Sequence, residues 1–122
     1  MTVGSWSVFY TPYAETQVRM TAPTEPGVYI LWKQSQGSGW SRFYVGKANN
    51  LESQLLGHLS DDEPNPCIKR NVKETCGFRW IDITMEYERS GAEKYLFDLM
   101  KPECNLVDPG GNSLKIPLPP VV

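Results

Sequence analysis

Two tyrosines stand in similar short phrases of this chain, Gly27-Val28-Tyr29 and Tyr44-Val45-Gly46. A phenol can orient a water molecule or pass on its proton. Its unperturbed pKa of about 10 means that a neighbouring cation or metal-bound water must assist it at neutral pH. Lys47 follows the second phrase directly and carries such a charge. The chemistry requires that the two phrases lie side by side.

The residues around the two phrases predict an antiparallel hairpin. Both phrases lie in β-branched and aromatic runs typical of strands, and the stretch Gln34 to Gly39 between them is polar and glycine-rich. Centring the turn near Gln36 and Gly37 places Tyr29 opposite Tyr44. Since side chains alternate along a strand, the two phenols are expected to face outward together. Their neighbours then fill the core face: Val28, Ile30, Phe43 and Val45.

Glu93 is the second residue with chemical potential. It lies in a helical pattern that runs from Ser90 to Lys101 and stops before Pro102. Its stripe of the helix also holds apolar residues at helical spacing, namely Leu96, Phe97 and Met100. An ionised carboxylate on a buried stripe needs a cation or several hydrogen-bond donors, so a divalent metal is an economical explanation. Spacing alone leaves open that Glu93 lies at the stripe's edge and reaches water.

The order of these motifs resembles the GIY-YIG nuclease family. After the two phrases come Lys47-Ala48-Asn49-Asn50-Leu51 at the start of a helix, Glu93 in a later helix, and Lys101-Pro102-Glu103-Cys104-Asn105. The resemblance covers roughly Pro26 to Asn105. It implies an α/β fold with a small, mostly antiparallel three-stranded sheet and flanking helices. It also implies a metal-dependent DNA endonuclease that hydrolyses phosphodiester bonds with Mg²⁺ or Mn²⁺.

The same resemblance implies roles for individual residues. Glu93 matches the family's metal ligand, Tyr29 the tyrosine that orients water or passes on its proton, and Tyr44 a member of the same polar network. Lys47 is expected to add positive charge at the phosphate. Asn105 matches the family's asparagine after the helix, where an amide can bind backbone or substrate; a plain turn residue after Pro102 is the alternative.

The chain departs from the family at one position of the first helix. The family carries an arginine there, whereas Leu51-Glu52-Ser53-Gln54-Leu55 places glutamine at that point. A neutral amide replaces a guanidinium group, which is charged and can bind phosphate with two parallel hydrogen bonds. We therefore expect impaired catalysis. His58 lies one turn further and is a candidate substitute, or else a surface or packing residue. A non-catalytic nucleic-acid or protein interaction module on the same fold remains the alternative function.

A few basic residues, but not the net charge of the chain, support nucleic-acid binding. The formal net charge of -2 and the pI near 5.4 exclude the broad basic field that drives tight nonspecific binding. A modest phosphate track is predicted instead from local cations, with an ordinary solvated surface as the alternative. Besides Lys47, its members are Arg42, Lys69, Arg70 and Lys73.

The remaining helices follow from local signals. Leucines at every fourth position predict a helix from Leu51 to Leu59, capped by Asn49 or Asn50. A shorter helix is predicted to begin at Pro66 and to stop near Cys76-Gly77. A third strand is expected over Phe78 to Met85.

Length and composition predict one domain over residues 1–122. A chain of 122 residues with 40% hydrophobic content can bury a single core without staples. At the N-terminus, Ser5 to Tyr10 alternates like an edge strand, and Thr11 to Pro26 is predicted as a loop. The expected parts are an N-terminal strand and loop over 1–25, a core over about 26–105, and a Pro/Gly-rich strap over 106–122.

The cysteines and the apolar runs predict a cytoplasmic location. No apolar run approaches the roughly 20 residues of a membrane helix, and the start lacks the pattern of a secretion signal. Three scattered cysteines, Cys67, Cys76 and Cys104, argue against a disulfide framework and fit a reducing compartment. A zinc site with His58 is disfavoured because no Cys-x-x-Cys pair occurs.

Overall fold

The computed structural model describes residues 3–37 and 39–120. Ser38 of the predicted turn, and the two residues at each end of the predicted domain, lie outside the described residues. The helices and strands, in chain order, are β1 (Val3–Trp6), α1 (Glu15–Thr21), β2 (Gly27–Gln34), β3 (Trp40–Ala48), α2 (Leu51–His58), α3 (Pro66–Asn71), β4 (Cys76–Ile83) and α4 (Glu86–Met100).

The strands form a four-stranded antiparallel sheet in the order β1-β4-β2-β3. The predicted class, an antiparallel sheet with flanking helices, is confirmed. The sheet has four strands rather than three because the N-terminal edge strand β1 pairs with β4. Strand β3, which carries the second tyrosine phrase, lies at the opposite edge of the sheet.

Both faces of the sheet are covered, and each has its own hydrophobic cluster. One cluster joins the sheet to α1, α2 and α3 through Val18, Leu55 and Ile68. The other joins it to α4 through Ala92 and Leu96. The central strand β2 is therefore buried on both sides, as expected for a strand between two layers of helices.

This two-sided burial corrects the expectation that the phenols face outward. Tyr29 is 0% exposed and belongs to the cluster beneath α2 and α3. Tyr44 is partly buried against the same cluster. Val28, Ile30 and Val45 fill the α4 face as expected.

The hairpin register also differs from the prediction. Tyr29 lies opposite Gly46, and Tyr44 lies opposite Leu31. Next to the turn the strands already pair one residue away from the predicted register, with Gln34 opposite Trp40, and the register shifts by one more residue between Leu31 and Trp32. Phe43 is the extra residue of this bulge and packs in the cluster of Tyr29, not on the α4 face. A bulge adds one residue to one strand, which no alternation pattern reveals.

Gly46 explains why glycine ends the second phrase. A Cβ placed on Gly46 would clash with the phenol of Tyr29 and would crowd the ring of Tyr44. The missing side chain lets the two tyrosine rings lie on one face, with their centroids 6.1 Å apart. The sequence phrase is therefore a packing requirement for bringing the phenols together.

The predicted helices are present with shifted bounds. Asn50 caps α2 by accepting from the backbone N–H of Ser53 at 3.0 Å. Helix α3 begins at Pro66 as predicted but ends at Asn71, so Lys73 lies beyond it. Helix α4 begins at Glu86, four residues before the predicted start, without a side-chain cap.

The predicted loop before the hairpin contains the seven-residue helix α1. It has no side-chain cap, and it is held by the burial of Val18 and by contact with α2. Packing against the rest of the protein, rather than a capping residue in the sequence, therefore stabilises this helix. The segment from Asp108 onward has no helix or strand in its described part, and Ile116 is buried against the α4 cluster.

The structure corrects the expectation about cysteines, because Cys67 and Cys104 form a disulfide. It joins the first turn of α3 to the segment after α4. Cys76 is free and buried, and burial raises its pKa to about 11. Among the described residues, no helix is long and apolar enough to span a membrane.

Candidate active site

A cleft of about 640 Å³ opens at the exposed edge of β3. Tyr44 and Lys47 reach it from β3, Ser90 and Glu93 from α4, and Asn105 from the segment after α4. Pro64, Asn65 and Pro66 close it on the side of α3. The sheet edge thus brings together residues from both of its faces.

Asn105 holds this edge of the sheet. Its side-chain oxygen accepts from the Val45 backbone N–H at 2.9 Å, and its side-chain N–H donates to the Val45 carbonyl at 2.8 Å. The neighbouring Cys104 N–H donates to the Phe43 carbonyl at 2.8 Å. Asn105 therefore acts like a partner strand for β3, in the backbone role that the sequence had left open beside substrate binding.

Glu93 is partly buried at the wall of the cleft. Burial raises the pKa of its carboxyl above the ordinary value, while the charge of Lys47 and a hydrogen bond from the Lys47 backbone partly oppose this. An oxygen donor in an open cleft suits a cation that keeps most of its water ligands. The Lys47 ammonium group does not bind the Glu93 carboxylate. Its hydrogen bonds go to Glu86 at 3.0 Å and to Ser90 at 2.8 Å.

Behind the cleft, Tyr29, His58 and Glu63 form a buried hydrogen-bonded series. The Tyr29 hydroxyl lies 2.5 Å from His58 Nε2, and His58 Nδ1 lies 2.9 Å from a Glu63 carboxylate oxygen. A carboxylate only accepts, so Nδ1 carries the proton and Nε2 accepts from the phenol. The side chains of His58 and Glu63 are 5% and 7% exposed.

Burial sets the protonation of this series. Desolvation lowers the pKa of His58, and the hydrogen bond and charge of Glu63 oppose that shift. Desolvation raises the pKa of Tyr29 well above its ordinary value. At neutral pH the series therefore holds a neutral phenol and a neutral imidazole whose Nε2 is ready to accept a proton.

Tyr44 connects the buried series to the cleft. Its ring centroid lies 5.2 Å from that of His58 and 6.1 Å from that of Tyr29, and burial raises the pKa of its phenol. Tyr44 also lines the cleft beside Glu93, whereas Tyr29 is fully buried. Tyr44 thus lies between the cleft and the hydrogen-bonded series of Tyr29, His58 and Glu63.

Gln54 lies at the same site. Its side chain makes a hydrogen bond to Tyr29 that lowers the pKa of that phenol, against the larger effect of burial. It also lines a smaller cavity of about 210 Å³ together with Lys47, Asn49 and Glu86. Since Lys47 lines both cavities, the position that departs from the family pattern adjoins the cleft.

The predicted phosphate track is brought together only in part. Lys69 and Arg70 lie on the exposed side of α3, which begins at the cleft, and Lys73 follows the helix. Arg42 lines a different cavity, with Trp32, Met100 and the C-terminal prolines. It is therefore separated from the cations of α3.

Three charged residues of the site were missed from the sequence: Glu63, Glu86 and Arg89. Glu63 lies past the end of α2, where no periodicity links it to His58. Arg89 and Glu93 are four residues apart on α4, so helical spacing would have placed them on one side. The early start of α4, which no capping residue marks, hid Glu86 and Arg89 from the helix prediction.

Comparison with known proteins identifies relatives of the region that builds this site. No family model matches the chain. It is 34% identical over 86 residues to UvrABC system protein C of Aquifex aeolicus, and equally so to that of Hydrogenobaculum sp.. The match covers 70% of this chain, but the chain spans only about 14% of the length of these relatives.

Solved structures extend the likeness to the fold. The GIY-YIG N-terminal endonuclease domain of UvrC from Thermotoga maritima superposes with a TM-score of 0.58 at 28% identity, over 74% of this chain and 96% of that domain. That structure is a tyrosine-to-phenylalanine variant bound to its catalytic divalent cation. An asparagine-to-alanine variant, also bound to the cation, gives a TM-score of 0.59 at 27% identity.

Proposed function

The chain belongs to the GIY-YIG nuclease family, and on this premise we propose that it is a divalent-metal-dependent endonuclease that hydrolyses phosphodiester bonds of DNA. One observation carries the proposal. A carboxylate, an ammonium group and a phenol backed by a buried imidazole all meet at one cleft, through Glu93, Lys47, Tyr44 and His58. These are the groups that phosphodiester hydrolysis requires.

Glu93 is the residue that we propose to hold the cation, with Mg²⁺ or Mn²⁺ as the expected ions. A bound divalent ion would stabilise the negative charge that develops on the phosphate and the leaving oxygen. One carboxylate in an open cleft suits ions that keep several water ligands. Burial disfavours the ionised carboxylate of Glu93 and raises its pKa, and a bound cation would offset that cost.

The hydrogen-bonded series supplies a path for the proton of the attacking water. The water gives its proton to the Tyr44 oxygen as the Tyr44 proton moves to Tyr29 and the Tyr29 proton moves to His58 Nε2. The resulting imidazolium is stabilised by the Glu63 carboxylate at 2.9 Å. Neither phenol has to hold a full negative charge, which burial makes unfavourable.

Gln54 makes us expect slow cleavage. It offers one neutral amide next to Tyr29, where the family has a cation. Lys47, which lines the same small cavity as Gln54, is then a cation that we expect to face the phosphate. The exposed cations of α3 are proposed to bind the DNA backbone, with modest affinity because the net charge is -2. A DNA substrate is consistent with the cytoplasmic location predicted from the sequence, which stays a prediction.

Relaxation of supercoiled plasmid tests the proposal. The purified chain should nick plasmid slowly with MgCl₂ or MnCl₂, and EDTA should stop the reaction. No nicking over a wide range of enzyme and metal concentrations, by a folded protein that still binds DNA, would favour the interaction module. Robust nicking in EDTA would contradict the role of the cation.

A further inference from the structure

The carboxylate of Glu86 occupies a site with three donors, one from β3 and two from α4. It accepts from Lys47 Nζ at 3.0 Å, from Arg89 Nη2 at 2.6 Å and from Ser90 Oγ at 3.3 Å. The Glu86 side chain is 61% exposed, so only these contacts hold it. Hydrogen bonds from Lys47 and Arg89 lower its pKa, so the group is an anion at neutral pH.

Among the donors, Arg89 is fixed more firmly than the carboxylate. The Arg89 side chain is 7% exposed, and its Nη1 donates to the carbonyls of Ile83 at 3.0 Å and Thr84 at 2.7 Å. Its Nη2 also donates to the Asn49 side chain at 3.0 Å. The guanidinium therefore stays in place if Glu86 swings into solvent. Its Nε has no hydrogen-bond partner among the described residues, so it is not fully satisfied.

The donors around Glu86 lie beside the cleft, where the proposed function requires a substrate phosphate to bind. Glu86 and Lys47 line the small cavity that also holds Gln54, and Lys47 and Ser90 line the main cleft. Glu86 and Glu93 are two helical turns apart on α4, or about 10 Å along its axis. The anion position therefore adjoins the proposed metal ligand without coinciding with it.

We propose that Lys47, Arg89 and Ser90 form a phosphate-binding site, in which Glu86 takes the anion position until a backbone phosphate of the nucleic acid displaces it. The inference rests on the proposed function. A planar guanidinium, an ammonium group and a hydroxyl suit the several oxygens of a phosphate better than the single oxygen pair of a carboxylate. Arg89 then supplies, from α4, the guanidinium that α2 lacks at Gln54.

Binding without metal tests this site. Inorganic phosphate is titrated by NMR at the Ser90 amide, and a labelled single-stranded oligonucleotide is titrated by anisotropy, both in EDTA. Glu86→Gln should tighten both probes by at least about fivefold, because a like charge at the anion position is removed. Glu74→Gln removes the same charge at an exposed position away from the cleft and should change either affinity by less than about twofold.

A second substitution keeps the proposal falsifiable. Adding Lys47→Met to Glu86→Gln should remove the gain, with folding checked by circular dichroism. Equal effects of Glu86→Gln and Glu74→Gln, or a gain that survives the loss of Lys47, would overturn the site. A gain for inorganic phosphate alone would overturn the nucleic-acid assignment. Binding as predicted by a protein that never cleaves DNA would contradict the proposed function and leave this site standing.

Discussion

The two tyrosines that dominate the sequence have different positions in the site. Tyr29 is fully buried and donates to His58, while Tyr44 reaches the cleft. A substrate can therefore touch Tyr44 but not Tyr29. On this account Tyr29 acts through its neighbours, as a relay between Tyr44 and the imidazole.

Glu63 should matter to the rate although it lies behind the site. Glu63→Gln keeps the size and polarity of the side chain but removes the charge that stabilises the His58 imidazolium. We expect nicking to slow by about 100-fold, within the range for a lost general-base contribution. Initial rates on plasmid with MnCl₂ measure this, and Glu74→Gln, a charge change at an exposed position, is the control. Equal rates for Glu63→Gln and wild type would remove Glu63 from the relay.

Gln54→Arg should raise the nicking rate. The side chain at this position adjoins both Tyr29 and the small cavity with Lys47, so an arginine there can reach the phosphate. Removing one such donor typically costs about 10²- to 10³-fold, and restoring it should recover a comparable factor. Tyr29→Phe in the same variant should abolish the gain. A gain that persisted in that double variant would come from contamination or from nonspecific charge.

The sequence named Tyr29, Tyr44, Lys47, His58 and Glu93 but not Glu63, Glu86 or Arg89. The first three stand in or beside the two phrases, and Glu93 was assigned through the family resemblance, because its spacing alone left open that it reaches water. Their roles stay predictions. Glu63 gave no signal because its contact with His58 depends on how the chain turns after α2. The orientation of the phenols was wrong because the alternation pattern cannot show that helices cover both faces.

At the scale of elements, the Asn105 side chain pairs with the outer edge of strand β3. Asn105→Leu leaves the N–H and the carbonyl of Val45 without their partners. Unsatisfied backbone groups cost about 1–3 kcal/mol each, so we expect unfolding free energy to fall by about 2 kcal/mol or more. Urea unfolding followed by circular dichroism measures this. Asn112→Leu is the control, because it changes the same residue type at an exposed position. An equal loss from both would contradict the edge-strand role.

Element predictions succeeded where the signal was local. Asn50 and Pro66 mark the starts of α2 and α3 in the sequence, and both are confirmed. Helix α1 has no cap and depends on packing of Val18, so the sequence did not indicate it. The hairpin was predicted but its register was not, since the bulge at Phe43 is set by packing.

For the whole molecule, the small negative net charge means that the proposed DNA binding depends on local contacts. Arg70→Ala, on the exposed side of α3, should weaken DNA binding and reduce the log-log salt slope by about one unit. Arg42→Ala removes the same charge in the separate cavity and should leave the slope unchanged. Titration of duplex DNA at several salt concentrations measures both. Unchanged slopes in both variants would indicate that α3 presents an ordinary solvated surface.

We propose that DNA cleavage by this chain depends on a cation held by the Glu93 carboxylate. Calorimetric titration of MnCl₂ into wild type and Glu93→Gln, with plasmid nicking measured on the same preparations, tests this dependence. We expect weak Mn²⁺ binding and slow nicking by wild type, and loss of both in a folded Glu93→Gln variant. Equal Mn²⁺ binding, or equal nicking, by the two proteins would contradict it.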